Sequence, residues 1–197
     1  MKNIIKISLK TSNEVLSDLK KIIGKELICL SSYYGSVTNE VYEYHLKDYV
    51  DIFFSDEEEK ISNCSLTFSS IFLEDYNLFC NKIKITTSLE LCKRENLSVI
   101  LNGIVISRTK KFIVKRIEIF GNKFENKNYN NNHLKIDMDN FIVFTSSLDE
   151  QILVMNSDQA RIIQVHYDKS QIDSIIKESE IIDNIKTMLY VVQSVID

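Results

Sequence analysis

Chemistry near neutral pH needs a group that titrates there, and this chain offers three unperturbed candidates, His45, His133 and His166. His166 lies in the run Gln164-Val-His-Tyr167 beside Asp168, and a His–Asp pair can orient a general base. The plainer reading is a strand residue whose ring sits at the solvent face or at a sheet edge. Triad hydrolysis has no anchor, because no Ser or Cys stands in a strained, glycine-flanked nucleophile turn. Asp137-Met-Asp139 has the alternate spacing that puts two acids on one face of a strand, where they could hold a divalent ion. Solvated turn acids are the simpler account of the pair.

The four cysteines, Cys29, Cys64, Cys80 and Cys92, contain no C-x-x-C pair. A zinc site joining them to His45 or His133 is therefore disfavoured, since structural zinc shows close-spaced ligand pairs. Cys29 and Cys64 alternate with apolar neighbours and read as small buried hydrophobes. Gly24, Gly35, Gly103 and Gly121 stand alone, so no phosphate-cradling loop is present. The segment from Arg108 to Arg116 interleaves five cations with aromatic and aliphatic residues. It makes a thin RNA patch, and a solvated face on two strands explains it without a ligand. Acids cluster at Asp56 to Glu59, at Glu74 and Asp75, and at Asp149 and Glu150; such a surface complements a basic partner and speeds its capture.

These residues must be positioned by strands. Asp48 to Glu58 and Asp139 to Glu150 echo each other, each an acid, an aromatic and β-branched strand and a polar acidic turn, which reads as one sheet-building unit used twice. Alternation of period two predicts strands over 27–34, 40–47, 49–55, 63–70, 82–88, 97–107, 111–121, 133–138, 140–145, 150–155 and 161–167. Short connections make the early ones an antiparallel meander. Within 111–121 the alternation slips by one position between the inward residues Phe112 and Val114 and the inward residues Ile117 and Ile119, which implies a bulge or bend. Residues 71–81 fit a short helix or a bent loop, 90–96 a helical turn, and the polar run 124–132 an exposed loop.

Helices are expected at both ends. Thr11 and Glu14 form a capping box before a stripe of Val15, Leu16, Leu19, Ile22 and Ile23, predicting a helix over 12–24 that stops at Gly24. A second stripe from Ile172 through Ile182, Ile185 and Met188 to Val192 makes the C-terminal quarter helical, with a break near Ser179. The segment from Leu189 to Val192 is apolar on more than one face, which suits deep packing or a partner. The fold class is thus α+β: antiparallel β-sheet meanders with an N-terminal helix and C-terminal helices packed on the sheet. We expect one domain over 1–197, with two similar β-rich halves at about 1–96 and 97–197.

The 197 residues are 44% hydrophobic, enough for one continuous core. A net charge of −4 gives no general attraction to phosphate backbones or anionic membranes, which lowers the expectation of a nucleic-acid partner. No apolar run approaches the roughly 20 residues that span a bilayer, and lysines interrupt the apolar residues at the N-terminus, so a cytoplasmic protein is expected. Zero proline and four glycines, with heavy use of Asn, Lys and Ile, suggest an AT-rich genome and a bacterial or viral source.

The C-terminal block carries a resemblance. Phe141-Ile-Val-Phe-Thr145, then Gln151-Ile-Leu-Val-Met155, then Ile162-Ile-Gln-Val-His-Tyr-Asp168 and a helix resemble the strand–strand–strand–helix ending of small bacterial immunity proteins of polymorphic-toxin and contact-dependent inhibition systems. The resemblance implies a cytoplasmic, non-enzymatic protein that binds one cognate toxin or effector and blocks it. The expected contact residues are Asp56, Glu57, Glu58, Glu59, Tyr33, Tyr34, Asp149 and Glu150. No catalytic residue, metal or cofactor is assigned. The other readings are a phage-encoded anti-defence inhibitor, a nucleic-acid-binding module centred on Arg108 to Arg116, and a small hydrolase using His166.

Overall fold

The computed structural model describes residues 4–37, 43–47, 49–73, 78–101, 103–129, 132–156, 162–179 and 188–192. In chain order its elements are β1 (Ile4–Leu9), α1 (Asn13–Lys20), β2 (Glu26–Ser32), β3 (Tyr34–Val37), β4 (Glu43–Lys47), β5 (Tyr49–Ser55), β6 (Lys60–Leu73) and β7 (Leu78–Lys93). A short 3-10 turn at Arg94–Asn96 leads into α2 (Leu97–Ile100). Then come β8 (Ile104–Tyr129), β9 (Asn132–Ser146), β10 (Gln151–Asn156), β11 (Ile162–His166), α3 (Lys169–Ser179) and β12 (Met188–Val192).

Two sheets share β8. Its first half pairs with β2, which continues through β5 and β6 to β7; its second half pairs with β9, which continues through β10 and β11 to β4 and β3. Among the described strands every pairing is antiparallel except that of β1 with β9. The architecture is mostly antiparallel sheet with three α-helices among the described residues, an α+β arrangement.

Alternation explains which side faces in. On β5, Val50, Ile52 and Phe54 enter a core shared with Ile117 and Ile119 of β8, Ile142 and Phe144 of β9, Ile152 and Val154 of β10, and Ile163 and Val165 of β11. The Phe54 and Phe144 rings meet across the two layers, with centroids 5.8 Å apart. Leu19 of α1 and Ile22 just after it enter the same core. The outer faces are partly covered as well. On the second sheet, Phe120, Phe141, Val143 and Leu153 pack against Ile172 of α3; on the first, Cys29, Phe53 and Ile61 pack against Leu97 of α2.

Several elements differ from expectation. The early strands are not a simple meander, because β3 and β4 leave the first sheet and β4 pairs with β11. Ser12, not Thr11, caps α1, its hydroxyl accepting the Val15 N–H at 3.4 Å. The helix proper ends at Lys20 and loose turns carry the chain to Gly24, where φ is +85°. Residues 71–73 and 78–80 close a β6–β7 hairpin, and β7 runs on to Lys93. Leu97–Ile100 is helical because its apolar side chains dock on the outer face of the first sheet, a demand that local alternation does not register. Arg108-Thr-Lys-Lys111 does not separate two strands: β8 is continuous, and four of its residues face a single residue of β2 between the pairs Leu27–Phe112 and Cys29–Ser107. The polar run after Phe124 is a ladder, not a loop, with Glu125 opposite Lys135 and Tyr129 opposite Asn132. Finally, among the described residues of the C-terminal quarter only Lys169–Ser179 is helical, and Met188–Val192 is a strand on β8 residues 119–123. Its aromatic and β-branched residues suit an open sheet edge better than a helix. Glu74, Asp75, Ile182 and Ile185 lie outside the described residues.

Phe144 is the center of this packing, fully buried from both layers. Phe144→Ala is expected to lower unfolding stability by about 3–5 kcal/mol, measured by urea denaturation, through lost burial and the cavity left behind.

Candidate functional site

Two hairpin turns of the same geometry stand at one end of the sandwich. Between β5 and β6, Asp56 Oδ1 accepts the N–H groups of Glu58 at 3.0 Å and Lys60 at 2.9 Å, and Glu59 sits at φ +60°. Between β9 and β10, Ser146 Oγ accepts those of Leu148 at 3.2 Å and Glu150 at 3.1 Å, and Asp149 sits at φ +59°. In each, the first side chain ties down the loop while an acid occupies a left-handed position that glycine fills most freely. The middle of β8 joins the two turns. Val114 N–H donates to Lys25 O at 2.9 Å and Ser147 N–H to Ile113 O at 2.9 Å, while Lys25 Nζ lies 3.5 Å from Asp56 Oδ2.

The acids marked in the sequence are interleaved here with cations. Lys60 meets Glu58 at 2.7 Å, Lys115 meets Asp149 at 3.7 Å and Arg108 meets Glu150 at 2.8 Å. Glu57 and Glu59 are exposed, and Leu148, at the tip of the second turn, is 73% exposed. Tyr33 does not join them. It follows the far end of β2, whose near end pairs with Ser55 beside the first turn, so about 20 Å of strand separates Tyr33 from the acids. Tyr34 opens β3.

The residues best suited to chemistry have structural duties. Asp168 does not orient His166: its carboxylate accepts the Gln171 N–H at 3.0 Å and the Ser170 hydroxyl, and so caps α3. Those bonds hold its pKa below the usual carboxylate range, the Ser170 hydroxyl most strongly. His166 is 6% exposed and pairs in register with Leu153 of β10 and Glu43 of β4. Asp139 is buried and accepts the Thr11 N–H at 2.6 Å, clamping the end of β1 over the β8–β9 bulge, while Asp137 pairs in register with Lys123. A Cβ on Gly121 would lie 2.4 Å from Met138 O, so this bulge needs glycine. His133 and Lys135 both face Glu125, at 2.5 and 2.8 Å. Among the described residues no group of His, Cys, Asp and Glu could hold a metal ion. Cys29 and Cys64 are buried; burial raises the Cys29 thiol to about 11 and the Cys64 thiol further, which leaves both protonated.

The basic segment is likewise engaged. Arg108 is 15% exposed, its guanidinium 4.7 Å from the Phe112 ring centroid and 5.7 Å from that of Tyr167, with Glu150 closing the cluster. Lys115 faces Asp149, and Arg116 faces Glu118 at 3.1 Å. Three of the five cations therefore already have acids beside them, leaving Lys110 and Lys111 exposed.

Sequence reasoning passed over one further polar group. On the outer face of the first sheet, Asp51 Oδ1 accepts the Ser65 hydroxyl, and Ser65 Oγ in turn accepts Asn63 Nδ2 at 3.3 Å. Burial lifts the Asp51 carboxyl above its ordinary value, with Ser65 pulling partly back. The signal was present in the sequence: aspartate is among the residues that strands disfavour.

Comparison with protein-family models, with curated proteins and with solved structures found no match. Among the described residues no helix is long and apolar enough to cross a membrane.

Asp18, held down by Lys21 and Thr87, shares with Asp168 a folded pKa below its usual value. Groups of this sign stabilise above the unfolded carboxylate pKa of about 4, and lose that contribution as pH falls through the lower folded value. Asp168→Ala should therefore be less stable than wild type at pH 7, with the gap narrowing toward pH 3 in thermal melts. Glu59→Gly, by removing left-handed strain, should leave stability unchanged or raise it by up to about 1 kcal/mol, as read from urea midpoints.

Proposed function

We propose that this protein is a non-enzymatic, immunity-type inhibitor that binds a cognate toxin or effector and blocks it by occlusion, using the end of the sandwich that carries the two hairpin turns. The observation that carries this reading is Leu148, a large apolar side chain 73% exposed on a turn pinned by Ser146 and ringed by charged groups. Folding alone favours a polar residue at such a tip. An apolar anchor inside a polar rim is the usual anatomy of an interface hot spot. Strands on both sides fix the turns, so little order has to be gained on binding.

Charge supports the same choice. Asp149 and Glu150 flank Leu148 with Lys115 and Arg108, and Glu57, Glu58 and Glu59 with Lys60 stand on the companion turn, a mixed rim that sets register and orientation with a partner of matching alternation. The reading keeps the acids of the contact set and moves Tyr33 out of it. Residence in the cytoplasm and a bacterial source belong to the same proposal.

Tagged wild-type protein drawn from its native cells should retain one stoichiometric protein, and co-expression should relieve that protein's toxicity. Leu148→Asp should abolish both effects, and Glu57→Lys should weaken capture, while Tyr33→Ala leaves them intact. A partner that binds Leu148→Asp as well as wild type, or the lack of any stoichiometric partner, would sink the proposal.

A further inference from the structure

Among the described residues, α2 roofs only part of the outer face of the first sheet. Leu97 of α2, with Ile100 and Leu101 beside it, covers Cys29, Phe53 and Ile61. Farther along β5, on the same face, come Asp51 and then Tyr49, with Ser65 and Thr67 opposite them on β6. Asp51 thus lies on the sheet between the α2 roof and Tyr49. Ser31 of β2 pairs with Asp51, and continuing that register sets Tyr33 opposite Tyr49, which groups two tyrosines and one carboxylate. Burial, and then Asp51, raise the Tyr49 phenol.

This grouping is not what a sheet needs for stability. β5 is an interior strand between β2 and β6, and Asp51 is half-buried at its middle. Aspartate disfavours strands, and a partly desolvated carboxylate costs free energy unless a cation balances it. Hydrogen bonding from Ser65 answers only part of that need. Among the described residues Asp51 has no ion-pair partner. One carboxylate with neighbouring hydroxyls supplies too few oxygens for a divalent ion. An organic cation matches better, because its charge meets the carboxylate while its body lies against aromatic rings.

We propose that this open half of the face binds the ammonium or guanidinium group of a basic peptide, with Asp51 as counter-ion and Tyr49 and Tyr33 alongside it. The site is separate from the hairpin-turn end and does not rest on the inhibitor reading. Ser65, itself hydrogen-bonded by Asn63, orients the carboxylate, and α2 covers the neighbouring Phe53 on the same face.

The test is an NMR titration of the full chain with tri-arginine amide and tri-lysine amide, with tri-glutamate as control. Saturable shifts at Tyr49, Asp51 and Ser65 are expected with a basic peptide and none with the acidic one. Asp51→Asn should weaken binding at least tenfold, Tyr49→Ala should weaken it several-fold, and Glu57→Lys at the other end should change nothing. Asp51→Asn should also melt at the same temperature as wild type or higher, because it removes an unbalanced charge. Wild-type affinity in Asp51→Asn, shifts confined to the hairpin turns, or a large loss of stability in Asp51→Asn would each overturn the assignment.

Discussion

β8 must satisfy its backbone hydrogen bonds on two edges while passing from one sheet into another, and the rest of the molecule is arranged around that requirement. β9 runs along one edge of its second half; on the other side, β2 serves the first half and β12 a stretch beyond it. The change of sheet needs slack, which is supplied where Arg108 to Lys111 stand against one residue of β2 and where Lys115 is the extra residue between the pairs Val114–Ser146 and Arg116–Thr145. Bulges of this kind bend and twist a strand. The bend brings the tilted rings of Phe54 and Phe144 into contact and lets one core serve both layers.

The same bulges aim the charged side chains. Arg108 leaves the ladder at the first bulge and turns onto Phe112 and Tyr167, with Glu150 across from it; Lys115 leaves at the second and points to Asp149. The hairpin-turn end is thus built from the irregularities of β8. Its rigidity follows from bonds between turns and strand, such as Ser147 N–H to Ile113 O. Near the middle of β5, Asp51 stands in a regular ladder, so its exceptional feature is chemical and not geometric.

Much of this was legible in the residues. Val50, Ile52 and Phe54 alternate cleanly, and so do Ile152 and Val154, because one face of each strand meets the core and the period of two survives. The slip between Val114 and Ile117 was visible for the same reason, and it falls at the Lys115 bulge. Other parts were hidden by long-range demands. Residues 124–129 read as loop because polar side chains say little about a backbone whose partners lie across a hairpin, and Met188–Val192 read as helix because apolar spacing of three and four also fits a short strand. The candidate sites were harder still. Arg108, Phe112, Glu150 and Tyr167 come together only through the sheet order, as do Tyr33, Tyr49 and Asp51, and no local pattern encodes such meetings.

The clamp between Thr11 and Asp139 joins residues 128 positions apart, and β1 adds parallel to β9 over the same region. During synthesis the first of these strands emerges long before its neighbour exists. It must wait as a short extended segment, with Ile5, Ile7 and Leu9 uncovered, until the β8–β9 hairpin has formed. The pairing of β1 with β9 is therefore a high-contact-order step that follows formation of the β8–β9 hairpin.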